Sequence, residues 1–474
     1  MRLPKLDDFL PYNELYTAQT EPLHLKNLLT EQGEKAVYES VIKCNRCGLC
    51  QQVCPTYRLT GRENFSARGR NQLVRMAMGG RLKLDADGAG LAEAAHSCLL
   101  CGACITACHS RVPTPEHMLE CRRVYARKPD RILRRALENA ARDPQAFAVM
   151  MRKARFMRRS GLVTLLDKAG ILRVLGASWL ARWHGMHGGQ PAKFFAELAK
   201  NSPELSRADN TSRTGCVYFA SCSTSYLHPE IGLATLSLAD RFVGPVRVID
   251  GLCCGLYNYL YGDINDAREA LKRVISRHEE ISAGAALPFV TDCGECASYF
   301  KRAEQLFLED EQWRNRAREF ASCVRDSLEV VPSEQYSFVL ANSSASVNGR
   351  QKDKAAVNLS GARIVFHENA ASAHWQTASR KAREVLKAAF RDGFAEMEEA
   401  DYPCGAEFGF PIFEPGRSAE LLRRKIACIA AARADIVVSG SPAAVAQIAC
   451  GLKKYYPQAR ALHYSVLLNE ALKG

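Results

Sequence analysis

Eight cysteines carry the clearest chemistry in the chain. They fall in two runs: Cys44, Cys47, Cys50 and Cys54 followed by Pro55, and Cys98, Cys101, Cys104 and Cys108 followed by His109. Three thiolates, each separated from the next by two residues, can wrap one corner of an iron–sulfur cube. The fourth, three residues further on, points away toward a second cube. Each run therefore completes the other. Cys44, Cys47, Cys50 and Cys108 are expected to hold one [4Fe-4S] cluster, and Cys98, Cys101, Cys104 and Cys54 the other. Zinc or a disulfide framework fits poorly, because structural zinc takes four ligands in two separated pairs, whereas each run here adds a third and a fourth cysteine. His109 stands where the first run has Pro55, so the turn after Cys108 is less constrained, but no ligand is lost.

A second constellation lies further along: Cys222, then Cys253-Cys254-Gly255, then Cys293-Gly-Glu-Cys296. Five thiolates exceed what one cube or one zinc ion needs. Adjacent cysteines cannot easily cap two irons of a regular cube, but they could bridge an opened one.

The elements that must position these groups differ between the two halves. The interval between the first two runs is too long for a minimal bacterial ferredoxin and predicts a helix around Arg68 to Met78, as in helical two-cluster domains that act as electron wires. Apolar spacing from Leu23 to Lys43 predicts helices broken near Gly33, preceded by an arm over residues 1–22. Pro113 and Pro115 start a helix through Met118, Cys121 and Val124, in which Cys121 is a buried small hydrophobe. Residues 129–208 form a basic helical connector rich in arginine. Its plain reading is a solvated face on packed helices. Its sharper reading is an in-plane contact of Phe156, Met157, Leu162, Leu165, Leu166, Ile171, Leu172 and Trp179 with anionic lipid.

From Gly215 the texture becomes that of an α/β layer structure, with strands at Cys216–Ala220, Val246–Ile249 and Leu287–Thr291 and a helix over Asn265–Ile281. Ligands in such sheets sit beyond the carboxyl ends of the strands, where all five cysteines of the second constellation fall. The unit repeats. Val217-Tyr-Phe-Ala-Ser-Cys222 matches Val365-Phe-His-Glu-Asn-Ala370, and Phe289-Val-Thr-Asp-Cys293 matches Val437-Val-Ser-Gly-Ser441. In the second copy Ala370, Pro403, Ser441 and Ala444 replace Cys222, Cys253, Cys293 and Cys296, leaving Cys404 alone. That copy is expected to hold no metal. His367, Glu368 and His374 could line a pocket there, although a histidine at such a place is more often a core or surface residue. Cys323, Cys428 and Cys450 are read as core residues on helices. A linker rich in Ser, Asn, Gly and Lys joins the copies at 343–358.

With 474 residues and 47% hydrophobic content, the chain is long enough for two or three cored domains. The formal net charge of +13 falls to about +9 once eight thiolates hold two cubes. No arginine-rich motif with interleaved aromatics points to nucleic acid. Nineteen cysteines, a polar start without a signal peptide and no apolar run long enough to span a bilayer predict a cytoplasmic protein. A peripheral contact on the inner face of the membrane accompanies the sharper reading of the connector. Gly88-Ala-Gly90 sits between cysteine runs and not after a strand, so it is read as a loop and not as a flavin fingerprint.

A lone cysteine, a Cys-Cys-Gly and a C-x-x-C, about thirty to forty residues apart, resemble the CCG (cysteine-rich) domain family. In heterodisulfide reductase the complete pattern binds a noncubane iron–sulfur cluster that cleaves a disulfide. The resemblance implies a third, noncubane [4Fe-4S] cluster on Cys222, Cys253, Cys254, Cys293 and Cys296, with zinc as the alternative. The whole order resembles the iron–sulfur subunits of glycolate oxidase and of lactate utilisation. It implies an α+β multidomain protein. Residues 1–128 are the arm and helical two-cluster ferredoxin domain, 129–208 the helical connector, 209–335 a complete α/β CCG domain, 336–360 a linker and 361–474 a degenerate CCG domain. The function implied is that of an electron-transfer subunit in an oxidoreductase hetero-oligomer. Electrons would come from a partner FAD-dependent 2-hydroxy-acid dehydrogenase and pass toward the quinone pool, through a membrane quinone-linked subunit. A heterodisulfide-reductase-like subunit that reduces a disulfide or persulfide is the alternative. This chain assigns no catalytic residue and no flavin of its own.

Overall fold

A computed structural model describes residues 34–82, 89–125, 131–174, 191–202, 204, 215–337, 359 and 361–473. The arm over 1–22, the helical pattern over 23–33, Trp179 and the linker at 343–358 lie outside the described residues. The chain divides into two compact units, Met1–Arg127 and Lys128–Gly474.

The first unit is helical. Its two cysteine runs share one local backbone. Arg46 and Leu100, each two residues after the first cysteine, take positive φ values of 56° and 58°. Gly48 and Gly102 follow in the left-handed region and open the short helices Leu49–Val53 and Ala103–Thr106. A side chain at either glycine would be strained, which is why glycine follows the second cysteine of each run. The helix predicted around Arg68 runs from Ala67 to Met78, capped by Ser66, whose Oγ accepts from Gly69 N at 2.9 Å. The helix expected after Cys108 spans Thr114–Val124 with proline in its first turn. Phe65, Val74, Leu91, Met118 and Cys121 fill the core. Gly90 proves to be helical, in Ala89–His96, and not in a loop; Gly88 lies outside the described residues.

The second unit holds two parallel sheets. Strands β1 (Cys216–Phe219), β2 (Val246–Ile249), β3 (Phe289–Thr291) and β4 (Val324–Asp326) form the first, in the order β2-β1-β3-β4. β4 follows directly on the helix Glu311–Cys323, and three residues behind a helix carry too little periodicity to be read from sequence. Strands β5 (Ile364–Phe366), β6 (Ile436–Ser439) and β7 (Arg460–His463) form the second, in the order β5-β6-β7. Val217 pairs with Phe289, and Val365 pairs with Val437. Cys216 pairs with Val246, and Ile364 makes an isolated bridge to Phe394. Every one of these partners is displaced by the same 148 residues between the copies. The repeat is therefore one of topology and register, with the second strand of the second copy reduced to a single bridge.

Both sheets share one apolar core that includes Tyr218, Val290, Leu328, Phe366, Val438, Tyr464 and Leu467. Each such side chain contributes roughly 1.5–3 kcal/mol on burial, so the two copies stabilise each other and not only themselves. Connector helices Arg131–Arg142 and Pro144–Arg159 belong to this unit and bond to the first copy, where Arg142 Nε donates to Asp266 Oδ1 at 2.6 Å. Within the connector's apolar set Leu172 is buried, while Met157 and Leu166 pack half-buried against Val163; Phe156, Leu165 and Ile171 face solvent. Cys323, Cys428 and Cys450 are half-buried helical residues; Cys428 packs against the core of the second sheet, whereas Cys323 and Cys450, among the described residues, lie outside the core clusters. No described helix is long and apolar enough to cross a membrane.

Candidate metal centres

In the first unit the electrostatic neighbours of Cys50 and of Cys104 come from both runs. Burial pushes the Cys50 thiol up to about 11, and Cys54, Cys44 and Cys108 add to the shift. Cys104 is raised by burial and then by Cys101, Cys98, Cys54 and Cys50. Cys108 thus reaches the first run and Cys54 the second. A cavity lined by Cys54, Cys98, Cys101 and Cys104 lies beside Pro55, Thr56 and Pro115. The two groups differ in depth. Cys54, Cys98, Cys101 and Cys104 are buried, whereas Cys44, Cys50 and Cys108 are half-buried and Cys47 is exposed.

Arg70, 1% exposed, lies against the deeper group. Its guanidinium donates to Ala94 O at 2.8 Å, Phe65 O at 2.7 Å, Thr56 Oγ1 at 3.1 Å and Ser97 Oγ at 3.0 Å, and Nη1 approaches Cys54 Sγ at 3.7 Å. None of these partners is a carboxylate. A buried cation needs a compensating charge, and a set of thiolates around iron carries one, so the donor set fits a [4Fe-4S] cluster. Nothing in the sequence marks Arg70 apart from its neighbours Arg68 and Arg75.

In the second unit the five cysteines of the later constellation come together. Cys222 opens the helix Cys222–Tyr226 after β1, Cys253 and Cys254 follow β2, and Cys293 caps the helix Gly294–Phe300 after β3. Cys254 Sγ and Cys296 Sγ are 3.4 Å apart, and Gly255 N donates to Cys253 Sγ at 3.4 Å. Gly255, with φ of 86°, turns the chain so closely that an added Cβ would lie 2.8 Å from Ala267 O. Hydrogen bonds from Cys253 and Cys296 hold the Cys254 thiol below its ordinary value. Burial, with Cys254 and Cys293 close by, raises Cys222. A hydrogen bond from Cys296 opposes the shift at Cys293, but burial still pushes that thiol up to about 11. Five thiols in contact, Cys254 and Cys296 buried and the other three half-buried, form a site whose protons a metal centre would displace.

Other parts of the second unit enclose this site. Tyr226, in the Cys222 helix, packs edge-on against Phe147 and Phe194 of the connector. From the second copy, Ser441 Oγ donates to Glu295 Oε1 at 2.9 Å and Gln376 Nε2 donates to Gly294 O at 2.9 Å. Burial raises the Tyr257 phenol, as do Cys222, Glu295, Cys293 and Cys296 around it. Tyr257 and Glu295 were not foreseen as neighbours of the site, although Glu295 lies inside the C-x-x-C.

Residues 40–112 match the 4Fe-4S dicluster domain, and residues 216–301 and 366–449 each match the cysteine-rich domain known as CCG. This chain is a CCG-domain iron–sulfur protein. It is 26% identical over 469 residues to the probable glycolate oxidase iron-sulfur subunit of Bacillus subtilis strain 168, across 95% of this chain and 98% of that protein. It is 22% identical over 252 residues to lactate utilization protein A of Bacillus velezensis, across 53% of this chain and 97% of that protein.

The two CCG domains use their strand ends differently. In the first, Cys293 caps its helix without a side-chain hydrogen bond. In the second, Ser441 occupies that place and its Oγ accepts from Ala444 N at 3.2 Å. Asn369 stands at the place of Ser221, and there the domains agree: Ser221 Oγ accepts from Thr224 N at 3.3 Å and Asn369 Oδ1 from Ser372 N at 3.2 Å, so only the Ser441 cap is new. A cap of this kind contributes about 1 kcal/mol, so the second domain trades a thiol for helix stability. Cys404 is fully buried, but it is not alone: His367 and Glu407 lie beside it. Glu368 instead pairs with Arg383, and His374 is outside that group.

Proposed function

We propose that this chain is the iron–sulfur electron-transfer subunit of a flavin-dependent 2-hydroxy-acid dehydrogenase. A partner FAD protein oxidises a substrate of the glycolate or lactate type, and electrons leave this subunit toward the quinone pool. The observation that carries the reading is the joining of a dicluster domain to CCG domains in a chain that aligns end to end with the Bacillus subtilis protein. Cys44, Cys47, Cys50 and Cys108 are assigned to one cube and Cys98, Cys101, Cys104 and Cys54 to the other. Cys222, Cys253, Cys254, Cys293 and Cys296 are assigned to a third centre. When bound, such clusters accept and release single electrons at potentials set by ligands, hydrogen bonds and exposure.

The chain's own residues supply the rest. Arg70 offers a positive charge and an N–H group to Cys54, which favours the reduced state of the deeper set. The exposed Cys47 places the shallower set where a partner can approach. The connector and the second CCG domain wall the five-thiol site, in which Cys254 and Cys296 are buried and Cys222, Cys253 and Cys293 half-buried. Five thiols exceed what a conduit needs, and this favours one second reading: a heterodisulfide-reductase-like subunit that reduces a disulfide or persulfide.

The test is anaerobic copurification followed by mixing. Reduction of the clusters by glycolate or lactate in the presence of the copurified flavoprotein, followed visibly by bleaching, is the expected result. Bleaching that requires a dithiol or persulfide and ignores both 2-hydroxy acids would favour the second reading. A chain that copurifies with no flavoprotein and responds to neither would overturn both.

A further inference from the structure

The second CCG domain, read from sequence as free of metal, contains a buried ligand set of its own. His367 follows β5, and Cys404 and Glu407 lie on the loop that matches Cys254-Gly255 of the first domain. One ligand atom from each of the three lies within 4.8 Å of the other two, and all three residues are buried. His367 and Cys404 are 0% exposed and Glu407 is 1%. Glu407 Oε1 is 3.6 Å from Cys404 Sγ and 3.9 Å from His367 Nε2. These spacings are slightly wider than those of atoms sharing one tetrahedral ion, so a small inward movement would close them.

The histidine tautomer supplies the second observation. His367 Nδ1 lies 3.2 Å from the carbonyl oxygen of Ala400. A carbonyl can only accept, so Nδ1 carries the proton and Nε2 presents its lone pair. That lone pair has no hydrogen-bond partner among the described residues. A fully buried acceptor left bare is costly, whereas metal-ligating histidines regularly donate their other ring N–H to a backbone carbonyl. The corresponding residue of the first domain is Phe219, so the imidazole is not a remnant of the cysteine pattern.

Among the described residues, Lys425 is the cation set against His367. Its Nζ donates to Glu399 O at 2.5 Å and to Ala400 O at 3.4 Å, which turns it toward the same carbonyl-rich loop that orients His367. With Cys404 and Glu407 ionised, the set carries two negative charges, enough to neutralise a divalent ion.

We propose that His367 Nε2, Cys404 Sγ and the Glu407 carboxylate bind one zinc ion in the second CCG domain. Imidazole, thiolate and carboxylate together suit zinc among the available divalent metals, and three protein ligands leave a fourth position for a water molecule. The ion locks the loop after Pro403 to the end of β5, the contact that the first domain makes through its cluster cysteines.

The test uses the full chain, purified anaerobically in zinc-containing medium and passed over a weak chelator. Zinc and iron are counted together, and zinc K-edge absorption reports the ligand shell. About one zinc per chain is expected, with one sulfur near 2.3 Å and lighter atoms near 2.0 Å. Cys404→Ser and His367→Gln should each lower zinc occupancy at least tenfold with iron unchanged. Zinc at background level in the wild type, an all-sulfur shell that would place zinc on the cluster cysteines, or zinc retained in both variants would overturn the proposal. The absorption measurement on the wild type decides the matter even if both variants fail to fold.

Discussion

The two CCG domains share one sheet topology and one register, yet the first presents five thiols at its strand ends and the second only Cys404. In the first domain the residues after β1, β2 and β3 are cysteines that converge within contact distance, as Cys254 and Cys296 do at 3.4 Å. In the second, the matching places are filled by Ala370, Pro403, Ser441 and Ala444, and at Ser441 a side-chain oxygen caps the helix where Cys293 makes no such bond. The fold can therefore stand without the cysteines. What they add is chemistry, and what replaces them is ordinary helix stability. The second domain has become part of the wall of the first domain's site, through Ser441 on Glu295 and Gln376 on Gly294.

The largest expected difference between the domains is in iron. Cys254→Ser should abolish the spectroscopic signal of the third centre and lower iron from about twelve to about eight per chain, because a hydroxyl does not replace a thiolate on iron. Cys404→Ser should leave iron and every cluster signal in place. Cys101→Ala serves as the control: it should remove one cube, about four iron, and keep the five-thiol signal. Iron analysis and electron paramagnetic resonance of the reduced protein read all three. Loss of iron in Cys404→Ser would break the asymmetry.

A steric change at the contact between the domains comes next. Gly294 sits in a helix, where alanine is normally the better residue by about 1 kcal/mol. Here a Cβ would lie 2.5 Å from Ser372 Oγ and 2.6 Å from Asn369 Nδ2. Gly294→Ala is therefore expected to destabilise the second unit by about 1–3 kcal/mol in chemical denaturation. A neutral or stabilising result would mean that the second domain does not press on the C-x-x-C loop.

A further effect, spread over several pH units, is one of pH. Asp326, fully buried, accepts from Ser372 Oγ and Gln376 Nε2 of the second domain at 2.9 Å each. Burial pushes its carboxyl up to about 7. The folded value lies above the unfolded one of about 4, so the group's contribution to stability is complete below about pH 4 and is lost as pH rises toward 7. The loss is on the order of a few kcal/mol. Asp326→Asn should flatten that part of the stability profile relative to the wild type, measured by denaturation between pH 4 and 8. Parallel profiles would show that Asp326 stays ionised throughout.

Much of the site was legible because ligand spacing is a local property. In Cys44-x-x-Cys47-x-x-Cys50 the chain can bring three thiols to one point with only a left-handed turn at Arg46 and Gly48, and the residues themselves announce it. The helices at Ala67–Met78 and Ile264–Ser282 were equally readable, since their apolar faces repeat at the helical period and their caps are adjacent in sequence.

Other features depended on residues far apart in the chain. Arg70 became a neighbour of Cys54 only because two helices and a loop fold around it, and a buried arginine reads in sequence like an exposed one. Leu172 was read with the exposed apolar residues of the connector, and packing alone turned it inward. His367 and Cys404 were each noticed in the sequence, but their meeting with Glu407 depends on the register of β5 against β6 and on the path of the loop after Pro403. Amino-acid order by itself determined the cysteine chemistry, the repeat and the loss of thiols from its second copy. Tertiary structure alone decided which buried groups face one another, because those contacts join segments whose separation no local spacing rule constrains.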